Sequence, residues 1–214
     1  AAFSVLQDSV RGPTGTDSYI MTTAAAATDV SDAITSFDSD GFTVGTDSND
    51  RSNYATKTHV SWNWKSATSF SNSAGSNGAD LACTGKVNTT AGFSVGTFTA
   101  QSSGSATVGH GLGAAPKMIM TKRLDAIQTW GVWHTGIGFG KYLRLDSSAA
   151  DASANLVTAT STTTYSTYWD HHDSGAEIIA YCFADVTGYQ KIGSWTGTSN
   201  ANGPMIYTGF KPAF

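Results

Sequence analysis

The sequence predicts an all-β protein, an antiparallel two-sheet β-sandwich in which residues 1–214 form one region. Three observations predict this class. Ala, Gly, Ser and Thr make up half of the chain, whereas Glu occurs once and Leu seven times, so long helix-forming side chains are scarce. Thr, Val, Ile and aromatic residues, which favour strands, are common. Hydrophobic residues make up 40% of the chain, which is enough for a core and argues against disorder.

Short runs of alternating apolar and polar residues supply the strands. Clusters of Gly, Ser, Asn, Asp and Thr separate these runs, and such residues are typical of turns. A series of about a dozen short strands is typical of a sandwich or a jelly roll. The runs lie at 3–6, 19–21, 41–44, 59–64, 92–98, 118–121, 129–134, 141–145, 164–169, 177–183, 188–195 and 205–210.

Three stretches differ from this alternating pattern. The continuous apolar run 178–183 predicts a buried strand in which Cys182 acts as a small hydrophobic residue, and a disulfide with Cys83 is the alternative. Four alanines at 24–27 favour helix but are too few for more than one turn. Residues 67–86 are polar and rich in Gly, Ser and Asn, so they predict a long loop or linker.

The charge distribution excludes two classes of partner. The formal net charge is −4 and the Lys and Arg residues form no cluster, which argues against nucleic-acid binding. No stretch of about 18 apolar residues exists, so we expect no membrane insertion. The chain starts without an initiator Met or a charged leader, and it ends in mid-pattern. We interpret it as a processed or excised piece of something longer.

The chain carries an internal repeat. The sequence VGTFT at 95–99 recurs as IGSWT at 192–196, and HVSWNW at 59–64 resembles IIAYCF at 178–183. The order of these segments predicts one repeat unit at 87–185. A second unit would be built from residues 188–214 plus 1–66, with the two chain ends meeting on one sheet. Chance similarity among Gly-rich and aromatic strands is the alternative.

The run GHGLGAAPK at 109–117, which leads into MIMTKR at 118–123, resembles a repeated module of virion and tail-associated proteins of marine bacteriophages. Segments 37–45, 181–186 and 207–214 are similar to the same module, so the likeness covers nearly the whole chain except the loop at 66–86. Such modules resemble the concanavalin A-like lectin/glucanase jelly roll. The resemblance implies a virion localisation, but because this fold serves lectins, adhesion modules, glucanases and lyases, it does not fix the function.

The enzyme pattern of that fold is missing. Its retaining glucanases carry two Glu flanking an Asp on one strand face, and this chain has the single Glu177. The sequence also lacks a Gly-x-Ser-x-Gly elbow, zinc-type Cys/His spacing and an EF-hand loop. We therefore expect no catalytic residue, no metal site and no cofactor.

One cluster of polar side chains, at 170–173, has chemistry suited to a ligand. Its Asp and His residues could bind a metal or form an acid–base pair, and the neighbouring Trp could stack on a sugar ring. The repeat places this segment in a connector between strands, where adjacent polar residues are usually solvated turn residues. Trp130 and Trp133 have opposite parity on their strand, so we expect one of them to face solvent. The candidate carbohydrate-binding residues are Trp133, Trp169, Asp170, His171, His172 and Asp173.

The remaining aromatic and histidine residues predict structural roles. Trp62 and Trp64 share one strand face, as their repeat equivalents Tyr181 and Phe183 do, so we expect both tryptophans in the core. His110 lies between two glycines, which favours a turn or a bulge.

Together these observations predict a non-enzymatic phage virion structural module, a tail fibre or surface protein acting in assembly or host-surface adhesion. Its expected partners are copies of itself or other virion proteins, because low charge and few Lys leave sheet edges open to pairing. The alternative is a lectin or adhesin domain that binds a bacterial surface polysaccharide. A polysaccharide-active hydrolase or lyase is a third hypothesis.

Overall fold

The computed structural model describes residues 5–13, 19–21, 33–46, 52–66, 68–148, 152–168 and 172–212. The all-β prediction is confirmed, because these residues form strands, one 3₁₀ turn and connections, and the strands pair in antiparallel ladders. Within the described ranges, no helix is long and apolar enough to cross a bilayer. The elements are β1 (Val5–Gln7), β2 (Tyr19–Met21), β3 (Ile34–Phe37), β4 (Phe42–Val44), β5 (Thr68–Asn72), β6 (Cys83–Asn88), β7 (Phe93–Thr99), β8 (Ser105–Gly109), β9 (Met118–Arg123), β10 (Gly131–His134), a 3₁₀ turn (Thr135–Ile137), β11 (Lys141–Arg144), β12 (Ala152–Ser153), β13 (Ala159–Thr160), β14 (Thr164–Tyr168) and β15 (Glu177–Phe183).

An eight-stranded sheet forms the centre of the molecule, in the order β12-β11-β10-β9-β15-β7-β6-β5. A three-stranded sheet, β13-β14-β8, contributes to the same core, and β1-β2 and β3-β4 form two separate hairpins. Strand β15 lies between β7 and β9, so both of its edges are hydrogen-bonded. This position explains why its sequence is an unbroken apolar run.

The large sheet is covered on both faces. The even-numbered residues of β15 point to one face and the odd-numbered ones to the other. The first face shares a core with Val108 and Tyr165 of the three-stranded sheet. The second face is covered by Leu6, Val10 and Ile192 from the two ends of the chain. Because both faces are covered, the position of a residue on one face or the other does not predict whether its side chain is exposed to solvent.

The two tryptophans near β10 illustrate this point. Trp130 is fully buried in the second face and Trp133 is 2% exposed in the first. The expectation that one of them faces solvent is wrong, because each face has its own cover.

The predicted loop at 67–86 is also wrong, because all of β5 and most of β6 lie within it. The two strands pair from Thr68 opposite Val87 to Asn72 opposite Cys83. The sequence concealed them because β5 is an edge strand with a half-exposed, polar pattern. Close packing requires the glycine in β6, since a Cβ at Gly85 would lie 2.1 Å from the Val95 carbonyl oxygen.

The two predicted repeat units differ in structure. Residues 87–185 supply most of the large sheet. The described residues of the second unit form only the two short hairpins and an isolated bridge, Val186 to Gln190, and contain no strand at 52–66 or 191–212. The strands expected at 59–64, 188–195 and 205–210 are thus not formed within this chain. The alanines at 24–27 lie outside the described residues.

Both cysteines are buried and free, so Cys182 packs as predicted and the disulfide alternative is not realised. Cys83 on β6 and Cys182 on β15 are separated by β7 and lie opposite different residues of it, which places their backbones more than about 10 Å apart, beyond the reach of a disulfide. Burial raises the pKa of the Cys83 thiol to about 12 and also raises that of Cys182. Both thiols are therefore protonated and poorly reactive in the folded chain.

Candidate functional site

The described residues of the sequence-predicted carbohydrate site, Trp133, His172 and Asp173, do not form one surface. Trp169, Asp170 and His171 lie outside the described residues. Trp133 is buried, its ring stacks on Phe139 at 5.3 Å between centroids, and its indole N–H donates to the Gly138 carbonyl at 2.9 Å. The expectation that Trp133 offers a free face to a sugar is wrong.

The two neighbouring residues of the predicted cluster point in different directions. The His172 side chain is 1% exposed and meets the ring of Phe98 edge-on, with centroids 6.1 Å apart. The Asp173 side chain is 66% exposed and pairs with the guanidinium of Arg123, on a backbone with φ of 61°. His172 therefore packs in the interior, and only Asp173 reaches the surface.

Arg123 organises a small ion cluster around Asp173. Its Nε donates to Asp125 Oδ1 at 2.6 Å, and this hydrogen bond lowers the pKa of the Asp125 carboxyl. A general acid at neutral pH needs a raised pKa, so the Asp125 carboxyl suits an ion pair and not proton donation. Within the described ranges, no group of three His, Cys, Asp or Glu side chains is arranged to hold a metal ion.

A buried polar network fastens the N-terminal turn to the central strand. Tyr181 on β15 donates to Asp8 Oδ2 at 2.7 Å, and Arg11 contacts the same oxygen at 2.6 Å. Asp8 Oδ1 accepts the backbone N–H groups of Val10 and Arg11, both at 3.0 Å. Burial, together with the Asp8 carboxylate, raises the pKa of Tyr181 well above its ordinary value. The network is saturated with protein partners, so it suits a structural clamp.

Two further buried titratable groups are bonded to the backbone. His110 Nδ1 accepts the Leu112 N–H at 3.1 Å, and its Nε2 lies 3.3 Å from the Ser161 carbonyl. Burial lowers the pKa of His110 to about 4, so the ring is neutral and closes its glycine-rich turn, as the sequence predicts. The Lys122 amine donates to the Gln128 carbonyl at 2.7 Å, and burial lowers its pKa to about 8.

Two segments carry nine of the sixteen exposed large apolar side chains in the described part of the chain. The N-terminal exposed segment comprises residues 54–64, and the C-terminal exposed segment comprises residues 189–207. The prediction that Trp62 and Trp64 lie in the core is wrong, because both side chains are exposed and no strand in the described part of the chain pairs with their segment. The exposed apolar residues of the two segments are Tyr54 (42%), Val60 (72%), Trp62 (62%), Trp64 (44%), Tyr189 (60%), Trp195 (66%), Met205 (87%), Ile206 (44%) and Tyr207 (80%).

Each exposed segment is anchored to the second face of the large sheet, and the C-terminal one is also held by the Gln190 side chain, which donates to the Ala184 carbonyl at 2.7 Å, and by an ion pair between Lys191 and Asp185. Trp64 packs against Phe93 and Phe183, with ring centroids 6.1 and 5.8 Å apart. Ile192 packs on the same face, and its N–H donates to Asp185 Oδ1 at 2.9 Å. Both segments therefore leave the sheet from one face, and beyond these points their apolar side chains face solvent.

An open groove of about 240 Å³, with both polar and apolar lining residues, lies on the sheet near the start of β15. Thr84, Thr97 and Thr99 line it together with Glu177, the single glutamate of the chain. Hydroxyl groups beside one carboxylate can hydrogen-bond a polar ligand such as a sugar. A lone Glu lacks the second carboxylate that glycoside hydrolysis normally needs.

A family comparison covers the whole chain. The family described as a domain of unknown function, DUF7483, matches residues 1–214. The chain belongs to the DUF7483 family. No curated protein and no solved structure matches it significantly.

Sequence reasoning missed the exposed segments of this DUF7483 chain as a candidate site. The signal was present at 59–64, where the apolar Val60, Trp62 and Trp64 alternate with polar residues. Such a pattern predicts a strand with one buried face, but it does not specify which chain buries it.

Proposed function

We propose that this DUF7483 chain is a non-enzymatic structural module that associates with other protein subunits through its two exposed apolar segments. The observation that carries the proposal is the exposure of large apolar side chains at 54–64 and 189–207 in a chain that is otherwise rich in Ser and Thr. Contiguous exposed apolar patches larger than a few hundred Å² mark interaction sites on monomers.

A virion is the setting that we propose for this association. The likeness of GHGLGAAPK at 109–117 to modules of phage virion proteins supports it. Subunits of a particle are held by repeated contacts, and apolar segments with little charge suit such contacts. The module would act in assembly of a tail fibre or particle surface, or in adhesion to the host.

Carbohydrate binding remains the second candidate function. The groove at Glu177 is a better candidate site for it than the cluster at 170–173. The groove is open, and the side chains of Thr84, Thr97 and Thr99 offer hydroxyl groups to a polysaccharide. Under this hypothesis the chain is an adhesin domain that binds polysaccharide without cutting it.

Light scattering distinguishes the two functions. We expect the purified chain to form dimers or larger assemblies at micromolar concentration, independent of added bacterial polysaccharides. The variant Trp62→Ser with Trp195→Ser should reduce the assembly to monomer while retaining its melting temperature. Ile127→Ser is the matched control, because Ile127 is 78% exposed but lies outside both segments.

A wild-type chain that stays monomeric and binds a polysaccharide would overturn the assembly function. Loss of that binding in Glu177→Gln, with Trp62→Ser unaffected, would then establish the groove as the functional site.

A further inference from the structure

The partner of the exposed segments can be identified from the repeat. We infer that a second copy of this chain supplies it, and that residues 190–196 of one copy pair as an antiparallel strand with residues 58–64 of the other. This inference rests on the proposed function and names the partner and the register of that association.

The register follows from the ladder that the first repeat unit forms. In the large sheet, β7 pairs with β15, with Val95 opposite Tyr181 and Thr97 opposite Ile179. The second-unit equivalents of these strands are 190–196 and 58–64. Transferring the ladder places Ile192 opposite Trp62 and Ser194 opposite Val60.

The side-chain pattern agrees with this pairing. In the transferred register Val60, Trp62 and Trp64 fall on one face with Ile192, in the places that apolar residues of β15 and β7 occupy. His59, Ser61 and Asn63 fall on the opposite face, together with Trp195, which takes the place of Phe98 and lies opposite His59. A strand with this alternation is stable only when its apolar face is buried.

Residues 58–64 and 193–196 have backbone groups free for pairing, whereas Gln190 already pairs with Val186 and the Ile192 N–H donates to Asp185 Oδ1. No backbone hydrogen bond joins residues 58–64 or 193–199 to another residue in the described part of the chain. Unpaired backbone next to exposed apolar side chains is a template for adding a strand. In the described part of the chain the two segments are not paired with each other, and a second copy, which carries both of them, can supply the missing strand.

The exposed area is sufficient for a specific interface. An aromatic side chain buries about 150–250 Å². With the exposed fractions given above, the five aromatic residues Trp62, Trp64, Tyr189, Trp195 and Tyr207 offer roughly 600 Å² of surface. A standard interface buries about 800 Å² on each partner, so these rings supply most of what a stable dimer needs. Because each copy carries both segments, two copies can exchange strands reciprocally in a closed dimer.

Cysteine cross-linking tests the partner and the register together. The variants Val60→Cys and Ser194→Cys are prepared separately, mixed and oxidised, and covalent dimers are measured on a non-reducing gel. Paired residues in an antiparallel ladder have Cβ atoms about 4.5–5.5 Å apart, so we expect efficient cross-linking between copies. Wild-type protein is the background control, since Cys83 and Cys182 are buried.

The matched control is a mixture of Ser61→Cys with Ser194→Cys. Neighbouring residues of a strand point to opposite faces, so this mixture should cross-link at least about tenfold less. The single-cysteine variants should have the wild-type circular dichroism spectrum and melting temperature, which shows that each still folds.

The alternatives give different results. A double variant carrying Val60→Cys and Ser194→Cys is oxidised as well. If its disulfide forms within one chain, and the mixture of the two single variants gives no covalent dimer, the inference is overturned. Association of the wild-type chain without the 60–194 cross-link would overturn the register and partner while the assembly function stands. A wild-type chain that stays monomeric would overturn both.

Discussion

Replacing Tyr181 by phenylalanine should destabilise the fold, although the change removes a single oxygen atom. The Tyr181 hydroxyl donates to Asp8 Oδ2 at 2.7 Å and accepts from Arg11 at 3.3 Å, in a region where the charged side chains are at most 7% exposed. A hydrogen bond to a charged group contributes about 1.5–3 kcal/mol. We therefore expect Tyr181→Phe to lower the free energy of unfolding by about 2 kcal/mol, because the ring packing against Trp130 is retained while Asp8 loses a donor.

Tyr165→Phe is the matched control for this prediction. Tyr165 is equally buried, but its hydroxyl has no hydrogen-bond partner among the described residues. Removing an unsatisfied buried hydroxyl should leave stability unchanged or raise it by up to about 1 kcal/mol. Urea unfolding followed by tryptophan fluorescence measures both variants, with equal slopes required for the comparison. If Tyr165→Phe destabilises the chain as much as Tyr181→Phe does, the reasoning from hydrogen bonding is refuted.

Three further predictions concern the protonation of His110, the space around two glycines, and the difference between a buried and an exposed tryptophan. His110 has a folded-state pKa of about 4 against an ordinary 6.5, so as pH falls from 7 to 5 mainly the unfolded chain gains its proton. We expect the urea midpoint to fall by the equivalent of about 2 kcal/mol over that range, and His110→Asn should abolish that part of the dependence. Gly85→Ala should destabilise by about 1–3 kcal/mol or prevent folding, whereas Gly41→Ala, with no atom within 4 Å of its Cβ, should have little effect in a thermal melt. Trp133→Ala should cost about 3–5 kcal/mol and Trp62→Ala less than about 1 kcal/mol, and equal losses in urea titrations would contradict the assigned burial.

The sequence was sufficient for the fold class and for the central strand. Period-2 runs and turn residues predicted an all-β chain, and the apolar run at 178–183 predicted β15 with Cys182 buried. These succeed because they depend on local pattern alone. Strands β5 and β6 were missed because an edge strand with polar, glycine-rich neighbours has no apolar pattern to detect.

The site was harder to predict because the exposure of a side chain depends on which other parts of the chain pack over it. Trp133 was expected at the surface and Trp62 in the core, and the structure reverses both. The difference lies in what packs above each strand: a second sheet above Trp133, and nothing in the described part of the chain above Trp62. The alternation of apolar and polar residues in a segment indicates that its apolar face must be buried. Only the three-dimensional structure shows whether residues of the same chain bury it.

The position of β15 has a consequence for folding kinetics. Phe93 of β7 pairs with Phe183, and Met118 of β9 pairs with the same residue, so the strand that joins the two halves of the sheet comes late in the chain. Sheets built from such distant pairings fold slowly, typically over milliseconds to seconds. During synthesis β7 and β9 emerge with their inner edges open until β15 leaves the ribosome. Nascent chains of this protein should therefore require protection from a chaperone until β15 has left the ribosome.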